Sequence, residues 1–311
     1  MLISAFLIFA LCITLVKSAD WLISSSSRLA KHFGLSEFTV SFFVIAFATS
    51  LPEFTVGVVS ALDNNPSLSL GNVVGSNIAD LTLILALPIL IGGGIYTSTL
   101  LKSKDLIYTV FLGITPFLLL MDGVLSRLDG LILISGYFFY LVLVLKKSSF
   151  MERLEEKILR TNVYKQFIIL SVSTLLLLAS SDLLVKEAES LSIKLNIPLI
   201  FIGITITAIG TSLPELAFGL KAIKSAHKSE VLGNVAGSVI ANSTIVLGTT
   251  ALLTPIRQEN ISNASFLSFF VILAIFSVFS VTNKRIDRLE AFILLVIYII
   301  FVLVEKTVAG I

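Results

Sequence analysis

Residues 46–53 read Ala46-Phe47-Ala48-Thr49-Ser50-Leu51-Pro52-Glu53, and residues 208–215 read Ala208-Ile209-Gly210-Thr211-Ser212-Leu213-Pro214-Glu215. The offset is 162 residues. At the same offset Gly71-Asn72-Val73-Val74-Gly75-Ser76-Asn77-Ile78-Ala79-Asp80 recurs as Gly233-Asn234-Val235-Ala236-Gly237-Ser238-Val239-Ile240-Ala241-Asn242, and Asp20 recurs as Asp182. No insertion separates the first matched pair from the last. The chain is therefore read as a duplication, and a search for internal repeats decides its fold before any single element does.

The composition says where that duplicated unit lives. Of 311 residues, 56% are apolar and 14% charged, against roughly 25% charged in soluble domains. Mean hydropathy is +1.02. Too few polar side chains remain to cover a water-facing surface, so the chain is read as an all-α polytopic membrane protein. Apolar stretches lie near 2–31, 36–62, 67–93, 105–121, 128–146, 164–193, 197–222, 230–254, 262–282 and 288–305. At about 20 residues per crossing they predict ten transmembrane helices. They do not alternate as the strands of a membrane β-barrel would. Residues 1–147 form the first five-helix unit, 148–163 a short connecting loop, and 164–311 the second unit. Five is odd, so the second copy enters the membrane upside down. Inverted repeats of this kind are built by secondary transporters, with the substrate site where the copies meet.

Charge fixes the expected orientation. The loops after the first, third, fifth, seventh and ninth stretches hold 16 of the 22 Lys and Arg residues, and the opposite side holds five. Positive loops stay in the cytoplasm, which places the connecting loop there and both termini outside, in the cell membrane of a prokaryote. The loop sequence around Glu152, Arg153, Glu155, Glu156 and Lys157 predicts a short solvated helix held by i,i+4 pairs. Lys17, inside the first stretch, is expected to pair with Asp20 or to snorkel. Net charge is only +2, which gives no reason to expect nucleic acid, and nothing calls for an obligatory protein partner beyond the lipid bilayer. A single cysteine, Cys12, excludes an internal disulfide.

The repeated segments carry the chemistry. A proline within a helix has no N–H and clashes with the carbonyl four residues back. Pro52 and Pro214 therefore free backbone oxygens near Ala48 and Thr49, and near Gly210 and Thr211, each beside a glutamate. Asn72, Ser76 and Asp80 fall at i, i+4 and i+8 on one helix face, and Asn234, Ser238 and Asn242 repeat that stripe. Gly71 with Gly75, and Gly233 with Gly237, have the spacing that lets a neighbouring backbone come close. If both motifs meet, the centre holds Glu53, Glu215, Asp80, Asn242 and the serines 50, 76, 212 and 238. Such oxygen donors suit a hard cation, Ca²⁺ above all, whereas zinc, copper and iron favour imidazole or thiolate. Three acids at membrane depth cost on the order of 8–10 kcal/mol, and no Lys or Arg lies in either motif to offset them. A hydrolase is disfavoured, because no histidine lies in a span and no G-x-S-x-G occurs. A channel would use rings of equivalent groups around a pore.

On these motifs, roughly residues 40–85 and 202–247, the chain resembles the calcium/cation antiporter superfamily, in particular its prokaryotic sodium/calcium exchangers. The resemblance implies that Glu53 and Glu215 ligate Ca²⁺ with the carbonyls of Thr49 and Thr211. It implies sodium sites at Ser50 and Ser238 with the Ala46 carbonyl near Glu215, and at Ser76 and Ser212 with the Ala208 carbonyl near Glu53. Asp80 and Asn242 would sit centrally. It further implies alternating access driven by sodium, with the first and sixth spans sliding across the core. Ca²⁺ and Na⁺ would be the transported ions, and no organic cofactor is expected. The alternative within the superfamily is an H⁺-coupled or K⁺-dependent antiporter. Two departures stand out: Asp80 and Asn242 exchange the positions that the aspartate and the amide hold in the family pattern, and Ala48 stands where the second repeat has Gly210.

Overall fold

The apolar stretches fold as helices, and the residues between them explain where each stops. The structure, a computed structural model, describes residues 2–32, 50–96, 103–148, 162–223, 230–257, 263–282 and 285–308. We number the helices α1 (Leu2–His32), α2 (Leu51–Leu62), α3 (Pro66–Gly92), α4 (Ser103–Leu119), α5 (Arg127–Ser148), α6 (Val163–Leu195), α7 (Leu199–Leu220), α8 (Val231–Leu253), α9 (Asn263–Val281) and α10 (Arg288–Val308). Among the described residues six, α3 and α6 through α10, are long and apolar enough to cross a membrane. The chain is thus mostly helical and several of its helices are suited to a bilayer. The part of the second stretch that includes Ala46 and Thr49, and the helix expected around residues 152–157, lie outside the described residues.

Pro52 and Pro214 act differently from the mid-helix kinks expected of them. Each occupies one of the first positions of a new helix, where its missing N–H costs nothing. Helix α2 starts at Leu51 after Ser50, whose backbone leaves helical geometry at φ −87°, ψ 11°. In α7 the break falls at Ser212, φ −83°, ψ 8°, between Ala208–Thr211 and Leu213–Ala222. Pro214 has no N–H to offer the Gly210 carbonyl four residues back.

Among the described residues three wide π-helical turns interrupt the helices, at Asp80–Ile84 in α3, Gly203–Thr207 in α7 and Asn242–Val246 in α8. The sequence reading did not foresee them. The first and third stand at the 162-residue offset of the repeated motifs. Each has a threonine at its third position whose hydroxyl donates to the carbonyl four residues back: Thr82 to Ile78, Thr205 to Phe201, Thr244 to Ile240. In a wide turn the backbone N–H bonds five residues back, so the hydroxyl occupies the carbonyl that an α-helical N–H would have taken.

Helices α3 and α8 form the centre. Leu70, Val73, Ile78 and Leu81 of α3 and Val235, Val239, Ile240 and Leu247 of α8 belong to one apolar core that extends to Phe269, Phe276 and Leu294 of α9 and α10. A second, separate cluster lies under α1 and α6, from Ile8, Cys12 and Leu15 to Leu177, Leu184 and Leu191, reaching Val56, Leu68 and Ile202 of the central helices. Helix α1 packs along α6, and this pair joins the rest through the second seam. Both exceed the roughly 30 Å hydrocarbon thickness at 1.5 Å rise per residue, so both must tilt. Lys17 and Asp20 do not pair; both are exposed on α1, and the ion pair of this region is Lys186 with Asp182 on α6, at 2.8 Å. The second half places a lysine one turn after its aspartate, where the first half has Ser24.

Among the described residues four two-residue strands tie the helix ends: β1 (Ile95–Tyr96), β2 (Val124–Leu125), β3 (Ile256–Arg257) and β4 (Arg285–Ile286). They pair antiparallel across the halves, β1 with β4 and β2 with β3. Arginines reinforce both joins. Arg285 donates to the Gly93 carbonyl at the end of α3 (2.9 Å), and Arg127 reaches the Leu253 carbonyl at the end of α8 (3.5 Å). Cations stabilise the exposed carbonyls of helix C-termini.

Candidate ion-binding site

The repeated motifs converge because α3 presses against α7 at its glycines. A Cβ on Gly71 would lie 2.3 Å from the Ile200 carbonyl oxygen, and one on Gly75 would lie 2.1 Å from that of Ile204. Gly203 returns the contact, facing the Leu68 carbonyl and the Asn72 nitrogen. The expected close approach is thus found for the first glycine pair. For Gly233 and Gly237 no described atom comes within 4 Å of the added Cβ. The positions that the repeat offset sets opposite them, Phe38 and Phe42, lie outside the described residues.

This contact brings the Ser76 hydroxyl to 3.4 Å from the Ala208 carbonyl and 3.3 Å from the Thr211 hydroxyl. Thr211 is in turn 3.2 Å from the Asn72 side-chain oxygen. Ser76 and Thr211 face the Glu53 carboxylate without donating to it, and Ser212 faces Asp80 in the same way. On the other side Ser238 donates to Glu215 at 3.1 Å. Glu53 and Glu215 are 1% exposed, Asp80 and Asn242 not at all. The three carboxylates are near enough to act on one another's charge. Among the described residues no three His, Cys, Asp or Glu side chains converge tightly enough to hold a metal alone. The donors are a mixed set of carboxylate, amide, hydroxyl and carbonyl oxygens.

Much of this set is unpartnered. Of fifteen buried side-chain polar atoms without a hydrogen bond among the described residues, nine belong to Ser50, Glu53, Asp80, Ser212, Glu215 and Asn242. Leaving buried polar atoms unmatched costs about 1–3 kcal/mol each, more for charges. That concentration marks a place built to surround something that accepts oxygen lone pairs. The Ser-Leu-Pro-Glu sequence would ordinarily make a reciprocal cap at a helix start. Here Ser50 makes no capping bond and Glu53 turns both oxygens elsewhere. The position still helps: each glutamate stands in the first turn of its helix, where the positive end of the helix dipole favours a carboxylate.

Three residues of this region were not singled out from sequence as site residues. Asn72 supports Thr211, and Asn77 of α3 donates to Ser243 of α8 at 2.8 Å, joining the two central helices beside Asp80 and Asn242. The offset pairs Asn77 with Val239, so symmetry gave no signal for it. Cys12 of α1 lies against Gly210, where an added Cβ would come within 2.2 Å of its sulfur. Ala46 and Thr49, expected to supply carbonyls, lie outside the described residues.

Helices suited to a bilayer, with unpartnered oxygens gathered between the chain's halves, define a membrane transporter of cations. The chain belongs to the sodium/calcium exchanger family: the family described as "Sodium/calcium exchanger protein" matches residues 3–146 and 165–305. Its members are exchangers, not enzymes. The chain is 34% identical over 254 residues to "Uncharacterized membrane protein MJ0091" of Methanocaldococcus jannaschii, covering 81% of this chain and 82% of the relative. It is 28% identical over 289 residues to "Sodium/calcium exchanger MaX1" of Methanosarcina acetivorans, covering 80% and 82%. Among solved structures it is similar to the sodium-calcium exchanger NCX_Mj in a form soaked with Na⁺ and Sr²⁺. That match has a TM-score of 0.66 and 29% identity, and covers 96% of this chain and 98% of that one. The fold is of this exchanger type, and the chain is a cation/Ca²⁺ antiporter.

Proposed function

We propose that this chain exchanges Na⁺ for Ca²⁺ by alternating access, with the ions bound at mid-membrane between two inverted repeats of five helices. The observation that carries the reading is the concentration of unpartnered, buried oxygen donors on Glu53, Asp80, Glu215, Asn242, Ser50 and Ser212. Ca²⁺ takes six to eight oxygens in adaptable geometry. Glu53 and Glu215 supply the charge to hold it, with the carbonyls of Thr49 and Thr211. Na⁺ is served by Ser76 and Ser212 with the Ala208 carbonyl near Glu53, and by Ser50 and Ser238 with the Ala46 carbonyl near Glu215. Three acids match one divalent ion or several monovalent ones, which is the condition for exchange. Asp80 takes the central position with Asn242 opposite.

The inverted arrangement is supported by the π-turns at one offset and by the reciprocal strand pairing. Each sheet joins loops that the Lys and Arg bias assigns to one side: β1 and β4 to the cytoplasm, β2 and β3 to the outside, with both termini outside. The packing of α1 along α6, over an apolar seam separate from the main core, suits a pair that slides across the site. Such a motion exposes the site alternately without opening a continuous pore.

The test is uptake of radioactive Ca²⁺ into proteoliposomes loaded with Na⁺, compared with K⁺-loaded vesicles and with an imposed pH gradient. Uptake that needs internal Na⁺ and disappears in Glu53→Ala or Glu215→Ala is the expected result. Uptake driven by the pH gradient alone assigns the chain to H⁺ coupling, and a joint need for K⁺ assigns it to K⁺-dependent exchange. The absence of Ca²⁺ movement under both the Na⁺ and the pH gradient would sink the substrate assignment.

A further inference from the structure

Away from the ion site, the turn after α3 and the start of α10 border an open cavity of about 480 Å³ lined by Gly93, Arg285, Asp287, Arg288 and Leu289. Its charges are unevenly committed. Asp287 accepts from the backbone N–H groups of Leu289 (2.8 Å) and Glu290 (2.9 Å), and Glu290 accepts from that of Asp287 (3.0 Å). This reciprocal cap engages both acids with the helix start.

The cations are free of such ties. Arg285 gives one nitrogen to the Gly93 carbonyl and lies 5.2 Å from the centre of the Tyr96 ring. Its Nε is buried and has no acceptor. Arg288 extends over Gly93, within 3.6 Å of where a Cβ would stand. Among the described residues neither arginine has a carboxylate within 4 Å.

A guanidinium with an unmatched N–H is best served by a tetrahedral or planar oxyanion that takes two parallel bonds. The surroundings narrow the choice. Leu289, which lines the cavity, is 67% exposed, and Phe292 one turn further along α10 is 55% exposed. A polar cavity thus opens directly onto an apolar flank, the profile of a headgroup above an acyl chain. It also lies on the side that the charge bias assigns to the cytoplasm, where basic pockets between helices bind acidic lipid headgroups.

We propose that Arg285 and Arg288 form a binding site for a phosphate-bearing anion, filled in the membrane by the headgroup of an acidic phospholipid. The occupied site bridges the Gly93–Gly94 turn to the start of α10 and so holds the end of α3, the helix that carries Asp80. The proposal depends on the chain residing in a bilayer and not on which ions it carries.

The experiment uses the whole purified protein in neutral detergent. Bound phosphatidylglycerol and phosphatidylcholine are counted by native mass spectrometry, and thermal unfolding is followed with each lipid and with inorganic phosphate. Two such arginines predict roughly thirty-fold preferential retention of phosphatidylglycerol, falling to about five-fold in Arg288→Ala. Arg288→Gln keeps the side chain's bulk and should show the same loss, while Arg288→Lys keeps part of the preference. Protection by inorganic phosphate, lost in Arg288→Ala and unaccompanied by retained lipid, would assign the site to a soluble phosphate compound. Equal retention of the two lipids, or a preference unchanged in Arg288→Ala and Arg288→Gln with no effect of phosphate, overturns the proposal.

Discussion

Replacing Gly75 by alanine adds a single methyl group at the closest contact between the two central motifs. Its Cβ would stand 2.1 Å from the Ile204 carbonyl oxygen and 2.7 Å from the Ala208 Cβ. Neither is the end of a flexible side chain, so α3 and α7 must separate by about 1.3 Å to restore ordinary contact. The bonds from Ser76 to the Ala208 carbonyl (3.4 Å) and to Thr211 (3.3 Å) already lie near the hydrogen-bond limit. A shift of that size removes both and moves Ser76 away from the oxygens beside Glu53. Overpacking costs about 1–3 kcal/mol, which lowers the unfolding temperature without preventing folding. Loss of one wall of the site should reduce Na⁺-driven Ca²⁺ uptake by at least about ten-fold, since 1.4 kcal/mol of lost ion binding suffices for that. Gly136→Ala is the internal comparison: it is the same change within α5, where the added Cβ would meet the end of the Leu112 side chain at an ordinary 3.4 Å. Uptake into proteoliposomes and thermal unfolding of both variants provide the assay. Equal losses in the two, or wild-type uptake by Gly75→Ala, would show that the glycine contact does not set the site.

Three further outcomes follow from the same geometry. Glu53→Gln should abolish Ca²⁺ uptake yet raise the unfolding temperature in ion-free buffer, because it removes an unpartnered buried charge; a lower temperature there would mean the carboxylate has a structural partner. Thr82→Val removes the hydroxyl that occupies the Ile78 carbonyl, at a cost of about 1–3 kcal/mol, and should weaken Na⁺ dependence by shifting Asp80. A Na⁺ titration unchanged from wild type would separate the wide turn from ion binding. Asp80→Asn should lower Na⁺-driven uptake, and adding Asn242→Asp should restore part of it by returning the charge across the pseudo-symmetry axis. No recovery in the double variant would mean that Asp80 cannot exchange places with its counterpart.

The motif residues themselves were the most legible part of the chain. The repetition of Thr-Ser-Leu-Pro-Glu and of the Asn72, Ser76, Asp80 stripe picked out buried oxygens before any coordinates, because a polar group in an apolar stretch has few other reasons to be there. The backbone around them was less so. Proline identifies a discontinuity but not whether a helix bends or restarts; here the backbone leaves helical geometry at Ser50 and Ser212, two residues before each proline. The π-turns were invisible because Thr82 and Thr244 look like ordinary helix residues, and even their hydroxyl bonds to the carbonyl four residues back are of a kind that Thr14 and Thr115 make within regular helix. Asn77 and Cys12 were missed for a different reason. Neither is repeated at the offset, so a search by symmetry passes over contacts made by one half alone. The expected Lys17–Asp20 pair failed because spacing on a helix permits contact without enforcing it, and both side chains point away from the protein.

The crossed strand pairing has a consequence for how the molecule is made. Ile95 waits for Ile286, and Val124 for Arg257, so no segment of the first half can find its strand partner while only that half has left the ribosome. The join at β1 becomes possible only once Arg285 and Ile286, just before α10, have been synthesised. Until then the end of α3 is unlatched. Premature termination before residue 285 would therefore leave the nascent chain with its two motif-bearing helices inserted and the first of them unfastened. The first half's fold is thus closed by residues of the second.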